Sequence, residues 1–257
     1  MTLSKSEMRE RAIGILSELA FDSEAEVRAN SIEALQAVPT RVEPIVRASL
    51  QDPNLGVRYT AAITVGQLKL RGSTALVRPL LDDSSALVRC AAIFALHRNG
   101  VKQDLTPIAD MLNGREFASA SMAAFMLGEL GDASAAPMLR AAAKRSHIDV
   151  PEARNLQLSI AEALYKLGDQ SAGDVLRAAI YPNTMQGFEQ AALAAQMIGE
   201  VGDDTAVAQL IRIVKKTRDG GESIVEPDDY LYPPEVRLAA AAALARLGYP
   251  DGWYVGE

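Results

Sequence analysis

The stretch DPNLGVRYTAAITVGQL, residues 52–68, contains the pattern that decides the fold. It begins with residues typical of a turn and continues into an apolar segment of helical character, with Arg58 near its start. The same pattern occurs at residues 22–38 as DSEAEVRANSIEALQAV and at residues 82–98 as DDSSALVRCAAIFALHR. A phrase that returns at nearly constant spacing indicates an internal structural repeat.

Alignment on Arg58 extends the repeat along the whole chain. The spacings between equivalent positions are 30, 31, 31, 37, 34 and 46 residues. The equivalent positions are Arg28, Arg58, Arg89, Ala120, Gln157, Ala191 and Arg237. Later copies lose the arginine at three positions but keep an alanine-rich segment that ends at a glycine.

These glycines are predicted to end helices in the left-handed conformation, and the aspartate that follows three of them is predicted to cap the next helix. They are Gly131, Gly168, Gly202 and Gly248.

Shorter amphipathic segments lie between the alanine-rich ones, so each copy is predicted to be two antiparallel helices. In the second copy these run from about 40 to 51 and from 54 to 68, and a first helix over residues 4–20 suits an end cap. We therefore predict an all-α protein, a right-handed α-solenoid or superhelix of about seven antiparallel helix pairs. Residues 1–257 are predicted to form one domain with a loop insertion at 215–234 and a short C-terminal tail at 249–257.

The aspartate, the turn, the Val-Arg pair and the following Ala-Leu-Gly resemble the HEAT-repeat family, and in particular the short HEAT-like repeats named after phycobilisome lyases. The resemblance implies a ladder between successive repeats, in which each arginine pairs with the turn aspartate six residues before it. Its members here would be Asp22, Arg28, Asp52, Arg58, Asp83 and Arg89. The middle repeats depart from this pattern, so the ladder is not expected to continue through them.

Composition narrows the function classes. The formal net charge of -7 disfavours a nucleic-acid partner, because phosphate backbones bind concentrated positive charge. No apolar stretch has the length of a membrane span, and the N-terminus has no signal-peptide pattern. The single cysteine, Cys90, excludes an internal disulfide and fits a reducing compartment. A cytoplasmic protein without nucleic-acid or membrane partners is predicted, and a monomer is expected.

The residue five positions after the arginine is predicted to lie on the helix face that points away from the protein core. Along the repeats it reads Glu33, Ile63, Phe94, Phe125, Glu162, Gln196 and Ala242, so three consecutive large apolar residues fall where solvent is expected. The second helices of the pairs are expected to line the concave face of the solenoid. Our hypothesis is that a protein or peptide binds along this face. The alternative is that these side chains pack between adjacent helices. The partner-binding residues would be Tyr59, Ile63, Phe94, Phe125, Met122, His97, Glu162 and Tyr165.

The insertion at 215–234 is a second candidate site, because loops inserted in solenoids often carry function. It contains the acidic and aromatic residues Asp228, Asp229, Tyr230 and Tyr232. The alternative is a solvated insertion without a role.

The chain offers little for catalysis. It has two histidines, His97 and His147, in different repeats and in no metal-binding motif. We predict no catalytic residue, no cofactor and no metal site, and hence a non-enzymatic protein-protein interaction scaffold. The resemblance implies one alternative, a phycobilin-lyase-like protein that acts on the chromophore of a phycobiliprotein.

Overall fold

The structure, a computed structural model, describes residues 4–145, 150–182, 187–215 and 231–249. In these ranges the chain forms fourteen α-helices with short 3-10 turns and no strand. It divides into two compact units, an N-terminal unit, Met1–Asp110, and a C-terminal unit, Met111–Glu257. The prediction of an all-α repeat fold is confirmed. That the whole chain behaves as one domain stays a prediction.

The helices alternate between two roles. The odd-numbered helices begin the pairs and are called A helices; the even-numbered ones complete them and are called B helices. In the N-terminal unit they are α1 (Lys5–Leu19), α2 (Ala25–Leu35), α3 (Pro39–Ser49), α4 (Leu55–Gln67), α5 (Thr74–Val77), α6 (Ala86–Arg98) and α7 (Thr106–Leu112), the last of which reaches into the C-terminal unit.

The C-terminal unit continues the alternation. Its helices are α8 (Phe117–Leu130), α9 (Ala136–Arg145), α10 (Pro151–Lys166), α11 (Gly173–Ala179), α12 (Phe188–Val201), α13 (Val207–Lys215) and α14 (Pro234–Arg246). Three A-B pairs pack together in the N-terminal unit, α1–α2, α3–α4 and α5–α6, and three in the C-terminal unit, α9–α10, α11–α12 and α13–α14. The helices predicted at 40–51, 54–68 and 4–20 correspond to α3, α4 and α1.

Local sequence explains where these helices start and stop. The side chain of Asn54 accepts hydrogen bonds from the N–H groups of Gly56 and Val57, which caps α4. At the other end, Gly131 and Gly202 end α8 and α12 with φ angles of 73° and 75°. Only glycine adopts this conformation without strain, so the prediction of glycine stops is confirmed.

The core of each unit lies between its B helices, because these pack against one another from repeat to repeat. In the N-terminal unit α2 packs on α4 and α4 on α6; in the C-terminal unit α8, α10, α12 and α14 follow in order. Small side chains let the helices approach closely. A β-carbon at Gly128 would lie 2.7 Å from the backbone of Ala163, and one at Gly199 would lie 2.7 Å from that of Ala243.

In the ranges that the structure describes, no helix has both the length and the apolar character needed to cross a membrane.

Candidate functional site

The arginines predicted as ladder members hold the N-terminal unit together. The guanidinium of Arg58 donates from Nε and Nη2 to the two carboxylate oxygens of Asp83, at 2.8 and 3.0 Å. Its Nη1 donates to the carbonyl oxygens of Asp52 and Pro53, at 2.8 and 3.0 Å. One guanidinium therefore fastens its own turn and the turn of the next repeat.

Arg28 repeats this arrangement with Asp52, at 2.9 and 2.8 Å, and with the carbonyls of Asp22 and Ser23. The ladder is thus present, but the prediction of which aspartate pairs with each arginine is wrong. The aspartate six residues before the arginine supplies its backbone carbonyl, and the carboxylate comes from the following repeat. The physical reason is that each aspartate side chain turns back to cap its own turn, as Asp52 does for the N–H of Asn54 at 2.8 Å.

The ladder ends at Arg89. Its Nη1 donates to the carbonyls of Asp83 and Ser84, at 2.6 and 3.0 Å. The residue twenty-five positions after Arg89, where Arg58 finds its aspartate, is Gly114. The series therefore has two complete rungs.

Electrostatics keep the rung aspartates ionised. The Arg58 guanidinium, aided by the N–H of Ser85, holds the pKa of Asp83 below its ordinary value. Burial alone would raise the pKa of Asp52, but Arg28, the N–H of Asn54 and Arg58 lower it.

The C-terminal unit fastens its repeats differently. Arg140 of α9 donates to Asp169 at 2.6 Å, and Arg177 of α11 contacts the buried carboxylate of Asp203. Here the arginine belongs to an A helix and the aspartate to the turn that follows a B helix. Of the three aspartates that follow helix-ending glycines, Asp132 and Asp203 accept from the N–H groups two residues further on, as predicted, whereas Asp169 accepts from the hydroxyl of Ser171 and does not cap.

The predicted exposure of the apolar stripe is wrong in the N-terminal unit. Ile63 is 6% exposed and Phe94 is fully buried. Gly66 explains this, since a β-carbon there would strike the Phe94 ring. Because α4 and α6 approach so closely, the fifth position lies between the helices instead of facing solvent. Tyr59 is half-buried, and burial together with the nearby charge of Glu33 raises the pKa of its hydroxyl.

The stripe is different in the C-terminal unit, where Phe125 is half-buried and not enclosed. The Nζ of Lys166 lies 5.5 Å from the centre of the Phe125 ring, close enough for a cation-π contact. The same ammonium donates to Glu129 at 2.8 Å and to Glu162 at 2.7 Å. We call these four residues the charged cluster.

Burial shapes the chemistry of the charged cluster. Glu162 is 3% exposed, and burial raises the pKa of its carboxyl, an effect that Lys166 only partly offsets. Burial alone would lower the pKa of Lys166, but Glu162 and Glu129 raise it, so the ammonium keeps its charge. Glu200, exposed on α12, also acts on Glu162. The ammonium of Lys166 is thus shared by two carboxylates, those of Glu129 and Glu162.

The other predicted site residues lie around these features. Met122 and His97 are half-buried, on α8 and α6. Tyr165 of α10 is half-buried beside Gly173, and burial and Asp203 raise the pKa of its hydroxyl.

From the predicted insertion, Tyr232 is 7% exposed and packs edge to face on Phe188, with ring centres 6.2 Å apart. It is therefore part of the packing against α12 and not a solvent-facing loop residue. Asp228, Asp229 and Tyr230 lie outside the described residues, as does the tail from residue 250 onward.

Sequence reasoning missed two residues that organise this region. Lys166 lies four residues after Glu162, a spacing that places the two on one helix face and could have predicted the pair. Arg177 carries no repeat signal. Among the described residues, no group of three or more histidine, cysteine, aspartate or glutamate side chains is arranged to hold a metal ion.

Comparison with known proteins supports the fold. Residues 13–97 match the family model of HEAT repeats. No curated protein matches the chain. A chain in the structure of the complex of CpcE and CpcF of phycocyanin lyase from Nostoc sp. PCC7120 is similar over 100% of this chain and 93% of its own, with 16% sequence identity and a TM-score of 0.53.

A second solved structure, human deoxyhypusine hydroxylase in complex with glycerol, is similar over 97% of this chain and 90% of its own, with 13% identity and a TM-score of 0.38. At such identities the likeness to the first structure shows the fold alone, and that to the second carries no argument. The family match coincides with the region of the arginine rungs, the part of the chain where the repeat pattern is most regular.

Proposed function

We propose that this chain, whose residues 13–97 are HEAT repeats, is a non-enzymatic interaction scaffold that binds a protein or peptide through the B helices of its C-terminal unit. The charged cluster carries the proposal. A half-buried aromatic ring with a cation above it and carboxylates beside it suits a protein interface, because aromatic residues are enriched there and charged groups give specificity.

The burial pattern supports a binding site in the C-terminal unit in preference to one along the whole predicted stripe. Ile63 and Phe94 are enclosed in the core and cannot meet a partner without unfolding of their helices. Phe125, at the equivalent position, keeps part of its ring at the surface. Binding is therefore assigned to α8, α10 and α12.

The charge balance supports a partner of defined chemistry. Glu129 and Glu162 both accept from Lys166, the exposed Glu200 acts on the pKa of Glu162, and the chain as a whole carries a net charge of -7. A basic segment would complement this surface, and its charges would increase the association rate and the specificity. We propose that the partner presents lysine or arginine to the charged cluster.

The experiment is affinity capture from the native organism with three baits. They are the wild-type protein, the double variant Phe125→Ser/Glu129→Lys, and the control Leu238→Ser, which alters a 63% exposed leucine on α14. We expect wild type and control to retain the same protein, the double variant to lose it, and raised salt to release it. Equal capture by all three baits, with helicity confirmed by circular dichroism, would refute the proposal.

A lyase-like role on the chromophore of a phycobiliprotein is the second candidate, and the likeness to the phycocyanin lyase structure favours it. The two functions differ in an optical test. A scaffold leaves the absorption spectrum of a mixture of phycobiliprotein and free chromophore unchanged, whereas attachment or removal of the chromophore shifts the spectrum. A protein-dependent shift would replace the scaffold proposal.

A further inference from the structure

A cavity of about 370 Å³ lies between α10, α11 and α12 in the C-terminal unit. Its walls are mainly apolar, and its volume is within the range of ligand pockets in proteins. The wall includes the apolar side chains of Leu158, Val175, Ala179 and Tyr181 and the polar ones of Arg154, Gln157 and Gln190.

The cavity results from unequal spacing of the B helices. At the eighth position after the repeat anchor, α8 and α12 carry Gly128 and Gly199, which allow the next B helix to approach to backbone contact. In α10 the same position is Tyr165, and α10 packs less extensively on α12 than α8 does on α10. The Tyr165 ring fills the gap beside Gly173. Near the start of α12 the gap persists as the cavity.

One polar group in the wall lacks a partner. Gln190 is 5% exposed, and its Nε2 donates to Asn155 at 3.1 Å. Its Oε1 is buried and has no hydrogen-bond partner among the described residues. An unsatisfied buried acceptor is costly, so a bound donor would be favoured there. Gln190 lines the cavity, and binding of a donor there would turn this carboxamide about its last, soft side-chain torsion in exchange for its bond to Asn155.

The rim of the cavity indicates the kind of occupant. Val175 and Tyr181 are 44% and 37% exposed, so apolar surface continues outside the cavity. A free small molecule would leave this surface in water, whereas a peptide segment would cover it. Tryptophan and tyrosine combine a large apolar ring with a hydrogen-bond donor and are enriched in interface pockets.

We propose that the cavity receives the tryptophan or tyrosine side chain of a peptide segment in the partner, with the ring donor bound to Gln190. This inference rests on the proposed function, a protein partner, and names the residue that the partner inserts.

The distance to the charged cluster adds a spacing. Leu158 in the cavity wall, Glu162 and Lys166 follow one another at intervals of four residues on α10. The eight residues from Leu158 to Lys166 correspond to about 12 Å of helix. An extended peptide covers this length in about four residues. The partner segment should therefore carry an aromatic residue about four positions from a lysine or arginine.

The test uses the full-length protein and the synthetic peptide Ac-Trp-Ala-Ala-Ala-Lys-NH2, with binding followed by amide chemical shifts. We expect saturable shifts at α10, α11 and α12. Replacing tryptophan by phenylalanine, which removes the donor, should weaken binding about fivefold to tenfold. No saturable shift at millimolar peptide, or equal binding of the phenylalanine peptide, would overturn the proposal.

Protein variants separate the cavity from the charged cluster. Ala179→Leu fills the cavity and should weaken binding at least about tenfold, while Ala242→Leu, the same change at an exposed position on α14, should not. Val175→Ser alters only the exposed rim and should weaken binding severalfold without a folding risk. Unchanged binding to both cavity variants would overturn the proposal. A peptide ending in glutamate that binds wild type equally well but not Ala179→Leu would support the cavity and refute the charged cluster instead.

Discussion

The two units of this protein fasten their repeats at opposite ends of the helix pairs. In the N-terminal unit, Arg28 and Arg58 of the B helices reach the aspartates in turns that lead from an A helix to a B helix. In the C-terminal unit, Arg140 and Arg177 of the A helices reach aspartates in turns that follow a B helix. The same residue types thus serve different connections.

This difference explains where the chain can vary. A turn whose carbonyls and carboxylate are held by arginines cannot be lengthened without loss of those bonds, and the N-terminal connections 50–54 and 83–85 are short. The corresponding connections 180–187 and 216–233 of the C-terminal unit are longer in sequence, and at the second of them the Nε of Arg237 donates to the carbonyl of Val214 at 3.2 Å. The candidate cavity adjoins the first of them.

The largest expected difference is in the loss of stability when the phenylalanine at the same repeat position is removed from each unit. Phe94→Ala removes a fully buried ring from the N-terminal unit and should lower the free energy of unfolding by about 3–5 kcal/mol. Phe125→Ala removes a half-buried ring at the equivalent position and should cost less, about 2 kcal/mol. Chemical denaturation of both variants checks this. Similar losses would show that the two positions are equally buried.

A smaller effect is expected from the spacing of the B helices. Gly128→Ala places a methyl group 2.7 Å from the Cα of Ala163 and should destabilise the protein by about 1–3 kcal/mol. The matched change Gly14→Ala meets no atom within 4 Å on α1 and should stabilise by about 0.5–1 kcal/mol. Thermal unfolding gives both signs, and a stabilising Gly128→Ala would contradict the close approach of α8 and α10.

The smallest expected effect is a difference in pH dependence. The pKa values of Asp52 and Asp83 are lowered in the folded protein, so their stabilisation is present above the ordinary aspartate pKa and is lost as pH falls through the lowered values. The pKa of Glu162 is raised, so its contribution is greater at low pH and declines as pH rises through the ordinary glutamate value towards the folded one.

Carboxyl carbon shifts in an NMR titration measure these directions. We expect Asp52 and Asp83 to titrate below the ordinary aspartate value and Glu162 above the ordinary glutamate value. Asp83 in the variant Arg58→Ala should return towards its ordinary value. A Glu162 that titrates below the ordinary value would contradict its burial.

Much of the fold could be predicted because it depends on local chemistry. Gly131 and Gly202 end helices wherever the left-handed conformation is needed, and the turn residues before Arg58 specify a helix start. The burial of Phe94 could not be predicted in this way, because a helical projection gives a single buried direction for one helix considered alone. A B helix contacts neighbouring B helices on two sides. Because Gly66 has no side chain, α4 lies directly against the Phe94 ring of α6.

The candidate site shows the same division. Arg28 and Asp52 are separated by nearly the same number of residues as Arg58 and Asp83. This recurring spacing could have identified the true rung partners from the sequence. The cavity depends on the distance between α10 and α12 and on the orientation of Gln190, which arise only when three helices pack together.

The central claim, that the two units are fastened in different ways, is tested most directly by double-mutant cycles with alanine substitutions. We predict a coupling free energy of about 1.5–3 kcal/mol between Arg58 and Asp83, which form a largely buried, bidentate pair. The coupling of Arg58 with Asp52 should be below about 0.5 kcal/mol, because Asp52 offers Arg58 its carbonyl. The coupling of Arg140 with Asp169 should stay below about 1 kcal/mol, since Arg140 is 52% exposed. A coupling of Arg58 with Asp52 as large as that with Asp83 would contradict the account.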